Sequence, residues 1–115
     1  MSRPIVFFDI AGSDDQSLRD FYAQVFDWPC DAPGNFSPGN AEPLEGSFRK
    51  DPKEVVLYIG VEDVTATLQA ISEAGGKIDV PRFEVPGVVV LGLFFDPAGN
   101  HMGLVEMVGD KPKVP

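Results

Sequence analysis

The chain has 115 residues, 43% hydrophobic and 23% charged, which suits one soluble globular domain with enough apolar material for a core. Eighteen acidic residues against nine basic ones give a net charge of −9, which disfavours nucleic acid and anionic membrane surfaces as partners. A single cysteine, Cys30, excludes an intrachain disulfide and points to a reducing compartment.

In chain order, 4-PIVFFDIAG-12 is rich in β-formers and is expected as the first strand. Asp9 interrupts its apolar run too early for a signal peptide. The stretch 13-SDDQ-16 has the form of a capping box, with Ser13 as cap and Gln16 reaching back. Leu18, Phe21, Tyr22, Val25 and Phe26 follow at helical spacing, and the helix is expected to stop near Trp28-Pro29. Residues 30–46 are rich in Pro, Gly and Asn and are expected to hold short irregular strands and loop, with a short strand over 46–50.

The run 54-EVVLYIGV-61 is the clearest strand, and Asp63 caps a second helix with Val64, Leu68 and Ile71 inward. Gly75-Gly76 closes that helix, and strands are expected over 77–85, 88–95 and 101–108, followed by a loose tail over 109–115. The run 85-VPGVVVLGLFF-95 is too short to span a bilayer, so the expectation is a soluble cytoplasmic protein.

This order is an internal repeat. An offset of 49 residues places Asp14 on Asp63 and superposes strand, cap and helix on strand, cap and helix. One module covers about 4–50 and the other about 54–108, within a single domain. Each half is too small to hold a stable core alone, so it must pack on the other or on a second chain.

With 13-SDDQSLRDFYAQVFDW-28, 58-YIGVEDVTATLQAISEAGGKIDVP-81 and 94-FFDPAGNHMGL-104 in this order, the chain resembles the glyoxalase/bleomycin-resistance/extradiol-dioxygenase (vicinal oxygen chelate) superfamily. Within it the chain looks most like short glyoxalase-like proteins described as lactoylglutathione lyase relatives. The resemblance covers about residues 4–108. It implies an α+β fold of two βαβββ modules, whose curved mixed sheets enclose a cleft, and a homodimer. Function does not follow from it, because the superfamily hosts isomerases, dioxygenases, thiol transferases and binders.

Metal-dependent members carry one ligand on the first strand and one on the last strand of each module. Carried over by the helix caps, the first-strand positions are Phe7 and Val56. In the last strand the ligand Glu follows the turn glycine Gly99 by four residues, which is Gly103. The fourth position falls near Ser47 or Phe48. None of these is a usual divalent-metal ligand, so no metal and no other cofactor are expected.

Strand parity groups His101, the only histidine, with Gly103, Val105 and Met107 on the cleft side, and likewise Asp9 with Phe7 and Tyr58 with Val56. Phe7, Asp9, Val56, Tyr58, His101 and Gly103 are therefore the cleft candidates. His101, Asp9 and Glu45 are candidates to converge there, although His101 also fits a rim residue and Asp9 a structural contact to arginine or backbone amides. Glu106 falls on the opposite face and reads as structural, and Cys30 as a small apolar residue.

Three readings remain open: a metal-free binder of a small apolar or aromatic molecule; a lyase, isomerase or dioxygenase with an unidentified catalytic group; and a dimeric protein whose cleft is filled by its own side chains. No nucleic-acid or membrane partner is expected.

Overall fold

In the computed structural model, residues 3–28, 35–36 and 44–115 are described. The fold is α+β, and the chain divides into two compact units, Phe7–Leu57 on one side and Tyr58–Pro115 with the chain start up to Val6 on the other. The units are described separately.

In the first unit, β1 (Ile5–Gly12) leads into α1 (Asp15–Phe26), followed by β2 (Asn35–Phe36) and β3 (Glu45–Lys50). β3 runs parallel to β1, from Phe7↔Glu45 to Gly12↔Lys50, and antiparallel to β2. The cap of α1 differs from the expected Ser13: Asp14 holds it, accepting from Ser17 N at 3.1 Å. A carboxylate at that position satisfies an orphan amide and also favours the positive end of the helix dipole. Gln16 instead donates to Asp20 and accepts from Arg19. The helix stops where Asp27 adopts a left-handed conformation, φ 57°.

α1 buries less than its apolar stripe suggests, since none of its residues is fully buried. Tyr22 packs on Phe48 of β3 (ring centroids 5.6 Å) and stacks on Trp28 (5.1 Å), whereas Phe21, Val25 and Phe26 are more than half exposed. Of the short strands expected over 30–46, β2 alone lies among the described residues; Cys30 lies outside them.

In the second unit, β4 (Glu54–Val61, shared with the first unit up to Leu57) is followed by α2 (Val64–Glu73), β5 (Lys77–Val85), β6 (Val89–Phe95), β7 (His101–Val108) and β8 (Lys111–Pro112). The sheet order is β4-β7-β6-β5, with β4 parallel to β7 and the other neighbours antiparallel. First and last strands pair in parallel here as in the first unit. Asp63 caps α2 by accepting from Ala66 N at 2.9 Å, and Gly75 follows the helix at φ 97°.

α2 packs on one face of this sheet, around Val61, Val64, Leu68, Phe94 and Leu104. Gly92 permits the contact, because a Cβ there would come within 2.7 Å of Val64. The tail, expected loose, folds back instead. β8 pairs with Met107 and Val108, Lys113 N donates to Glu106 O at 2.9 Å, and Gly87 N donates to Pro115 O at 3.1 Å. Its residues are exposed, so the ordering comes mainly from these backbone bonds, with the Lys113 ammonium 3.6 Å from Glu106 beside them.

Candidate functional site

The ladders decide which side chains share a face. Tyr58 is register partner of Gly103 in β4–β7, and Gly103, Val105 and His101 pair with Leu93, Leu91 and Phe95 in β6–β7. Directly paired residues point to the same side of a sheet. Leu104 and Phe94 carry α2, so Tyr58, Gly103, His101, Leu91, Leu93 and Phe95 lie on the side away from it. Phe83 of β5, paired with Leu91, joins them. Leu91, Leu93, Phe95 and Phe83 are half-buried, and no helix of this unit covers them. The result is an apolar sheet face.

Gly103 is filled from within its own sheet. A Cβ at this position would lie 3.0 Å from Tyr58 Cγ and closer still to Cδ2 and Cε2, so the tyrosine ring rests on the bare backbone. The aromatic neighbour covers the strand glycine and restores the packing that glycine lacks. Tyr58 is only 8% exposed. A glutamate at 103 and this placement of Tyr58 are mutually exclusive.

At one edge of the same face, His101 Nε2 lies 3.0 Å from Asp79 Oδ2, and the imidazole stacks on Phe95 with centroids 4.8 Å apart. Asp79 stands two residues along β5 from Lys77, the register partner of Phe95, which puts it on the same side. From there on β5 shifts register against β6 on both sides of Val80, which period-two counting along 77–85 does not reveal. The turn before His101 is locked by Asp96, whose carboxylate accepts from Ala98 N, Asn100 N and Asn100 Nδ2. The Asn100 bonds lower the Asp96 pKa.

Two buried carboxylates complete the polar structure, each within its own unit. Asp9, 3% exposed, lies 3.1 Å from Arg49 Nε, while Arg49 Nη1 and Nη2 reach Asp51 and Glu54 at 2.8 and 2.7 Å. Burial opposes the charge of Arg49, but hydrogen bonds to Asp9, Glu54 and Asp51 outweigh it and raise its pKa. Glu106 sits on the α2 side, opposite Gly103. It accepts from Val64 N (3.1 Å), from Arg82 Nε and Nη2 (3.1 and 2.9 Å), and is 3.6 Å from Lys113 Nζ. The Arg82 bonds dominate, against the cost of burial, and hold its pKa down to about 2.

Of the remaining candidates, Val56 is buried at 1%, Phe7 is half-buried in register with Glu45, and Ser47 pairs with Asp9. Phe48 faces α1, so of the two proposed fourth positions only Ser47 shares the Asp9 side. Among the described residues no three His, Cys, Asp or Glu side chains group as metal donors. Arg49, Asp79 and Arg82 escaped the sequence reading. Arg49 and Arg82 alternate with apolar neighbours and read as solvated strand residues, although a buried Asp9 demands a cation.

A curated protein of Didymella fabae, "Glyoxylase-like domain-containing protein", is 30% identical over 123 residues, spanning 88% of this chain and 91% of its own. The chain belongs to the glyoxylase-like domain proteins. Solved structures agree on the glyoxalase fold. The Mn(II)-bound glyoxalase of Novosphingobium aromaticivorans superposes with a TM-score of 0.66 at 21% identity, covering 100% of this chain and 43% of that one. A glyoxalase/bleomycin resistance protein/dioxygenase superfamily member from Vibrio splendidus gives 0.63 at 12% identity, covering 92% and 100%. No protein-family model matches the sequence. No helix among the described residues is long and apolar enough to cross a membrane.

Proposed function

We propose that this glyoxylase-like chain binds a small apolar or aromatic molecule on the sheet face opposite α2, without a divalent metal. The observation that carries this reading is the half-buried surface of Phe83, Leu91, Leu93 and Phe95, an apolar lining with a polar group, His101, at its edge. Such a combination suits ligand sites, which are mostly apolar with few polar groups. Tyr58 on Gly103 supports the metal-free part, because its ring occupies the space that a donor side chain at 103 would need.

The same tyrosine favours a second reading, in which the protein's own side chains fill the ligand position. A thermal-shift screen with small aromatic compounds separates the two. The binding reading expects saturable stabilisation by some of them, reduced in Leu93→Asp. No stabilisation across the screen favours the filled site. Elemental analysis near one equivalent of zinc, nickel, manganese or iron per chain sinks the metal-free part.

A further inference from the structure

We infer that β5 is an edge built to refuse a further strand, so that neither a second copy nor an extended peptide continues the sheet there. β5 stands last in the sheet order, and among the described residues no strand other than β6 pairs with it. An edge strand presents a row of backbone N–H and C=O groups, which is a template for pairing. At nine residues this row is about 30 Å long. Ile78, Val80, Phe83 and Val85 are strand formers along it. A straight edge of this length and composition attracts another chain. β5 is not straight.

Its ladder to β6 runs from Lys77↔Phe95 to Val85↔Val89, so nine residues of β5 stand against seven of β6. The register shifts fall between Ile78 and Val80 and between Val80 and Phe83. Each extra residue bends the strand, raises its twist and interrupts the regular spacing of its backbone groups. Phe83–Val85 is the longest stretch left in unbroken register, at the lower limit of strand length. Pro81 lies between the two shifts and has no N–H to donate. Lys77, Asp79 and Glu84 add charges of both signs, which an added strand would have to desolvate. The shifts and the proline also thin the ladder to β6, a cost tolerable where no second neighbour needs regular backbone groups. Association of this unit is thereby directed to its faces, where side chains make the contact.

The test compares the full chain with Lys77→Thr/Pro81→Val/Glu84→Thr, which restores an N–H and removes two charges of opposite sign. Asp110→Thr/Lys111→Thr is the control, with the same charge loss away from β5. At matched concentration, light scattering should show at least about a doubling of mass for the β5 variant over the control, the smallest step association can take. Hydrogen exchange in the associated form should show β5 amides newly protected, and the control should keep the wild-type mass. A β5 variant with the control's mass overturns the inference, and so does association without protection at β5. Wild-type chains whose β5 amides gain protection on assembly overturn it as well. If the triple variant loses its folded circular dichroism, Pro81→Val alone is read by the same two measurements against the same outcomes.

Discussion

Gly103→Ala adds one methyl group at a site with no room for it. The new Cβ would stand 3.0 Å from Tyr58 Cγ and closer to two other ring carbons, and that ring is 8% exposed. In a flexible surface position alanine would gain slightly over glycine through the unfolded state. Here the ring must turn or the strands must part. Overpacking of this kind costs about 1–3 kcal/mol. For a domain of this size each kcal/mol lowers Tm by roughly 4 °C, so a fall of roughly 4–12 °C is expected. A double-mutant cycle isolates the cause. In a Tyr58→Ala background all three clashing ring atoms are gone, and Gly103→Ala should become neutral or mildly stabilising, giving a coupling well above about 0.5 kcal/mol. Urea midpoints of the four proteins read this directly. A neutral Gly103→Ala, or an equal cost in both backgrounds, would refute the packing of Tyr58 on this glycine.

Glu106→Gln should lower stability at pH 7 by up to about 3 kcal/mol, the equivalent of a pKa brought from 4.5 to about 2. Because the folded-state pKa is depressed, that contribution is complete above pH 4.5 and is lost as pH falls towards about 2. The gap between wild type and variant, measured by urea unfolding, should therefore close across that window; a gap constant with pH would contradict the ion pairing. Arg49→Met leaves the buried Asp9 carboxylate without its cation and should cost about 3–5 kcal/mol, with part recovered by adding Asp9→Asn; no recovery would argue against the pair. We also expect a homodimer, since Phe21, Val25 and Phe26 expose apolar surface on α1, and light scattering should give twice the chain mass at micromolar concentration. A monomer at that concentration would remove this expectation.

The element order was legible because its signals are local. The parity of 101-HMGLVEMV-108 separated Gly103 from Glu106, and the ladders place them on opposite faces. Asp63 identified the start of α2, whereas the capping-box pattern put the cap of α1 on Ser13, one residue before the Asp14 that holds it. Sequence parity does not distinguish a residue across a cleft from one on the adjacent strand. Parity lists Tyr58 and Gly103 together as cleft candidates, and the parallel register makes them neighbours in one sheet. Non-local pairs such as Arg82–Glu106 and Asp79–His101 join residues 24 and 22 apart through strand order, which is not written in any short motif.

The internal repeat gives the glycine a counterpart. The offset of 49 that equates the helix caps also equates Asp9 with Tyr58, and the parallel ladders make Ser47 and Gly103 their respective partners. One position of the repeat has thus been solved twice with different chemistry. In the first unit a buried carboxylate is neutralised by Arg49, two residues beyond Ser47 on the same strand. In the second an aromatic ring lies on a bare backbone. Each solution is closed within its own unit: the carboxylate is tied to a guanidinium, and the glycine is covered by carbon. Metal binding needs several donors converging with their lone pairs available. A single donor introduced at 103 would therefore displace Tyr58 and still leave Asp9 committed to Arg49, so one added carboxylate is expected to create no metal site at these positions.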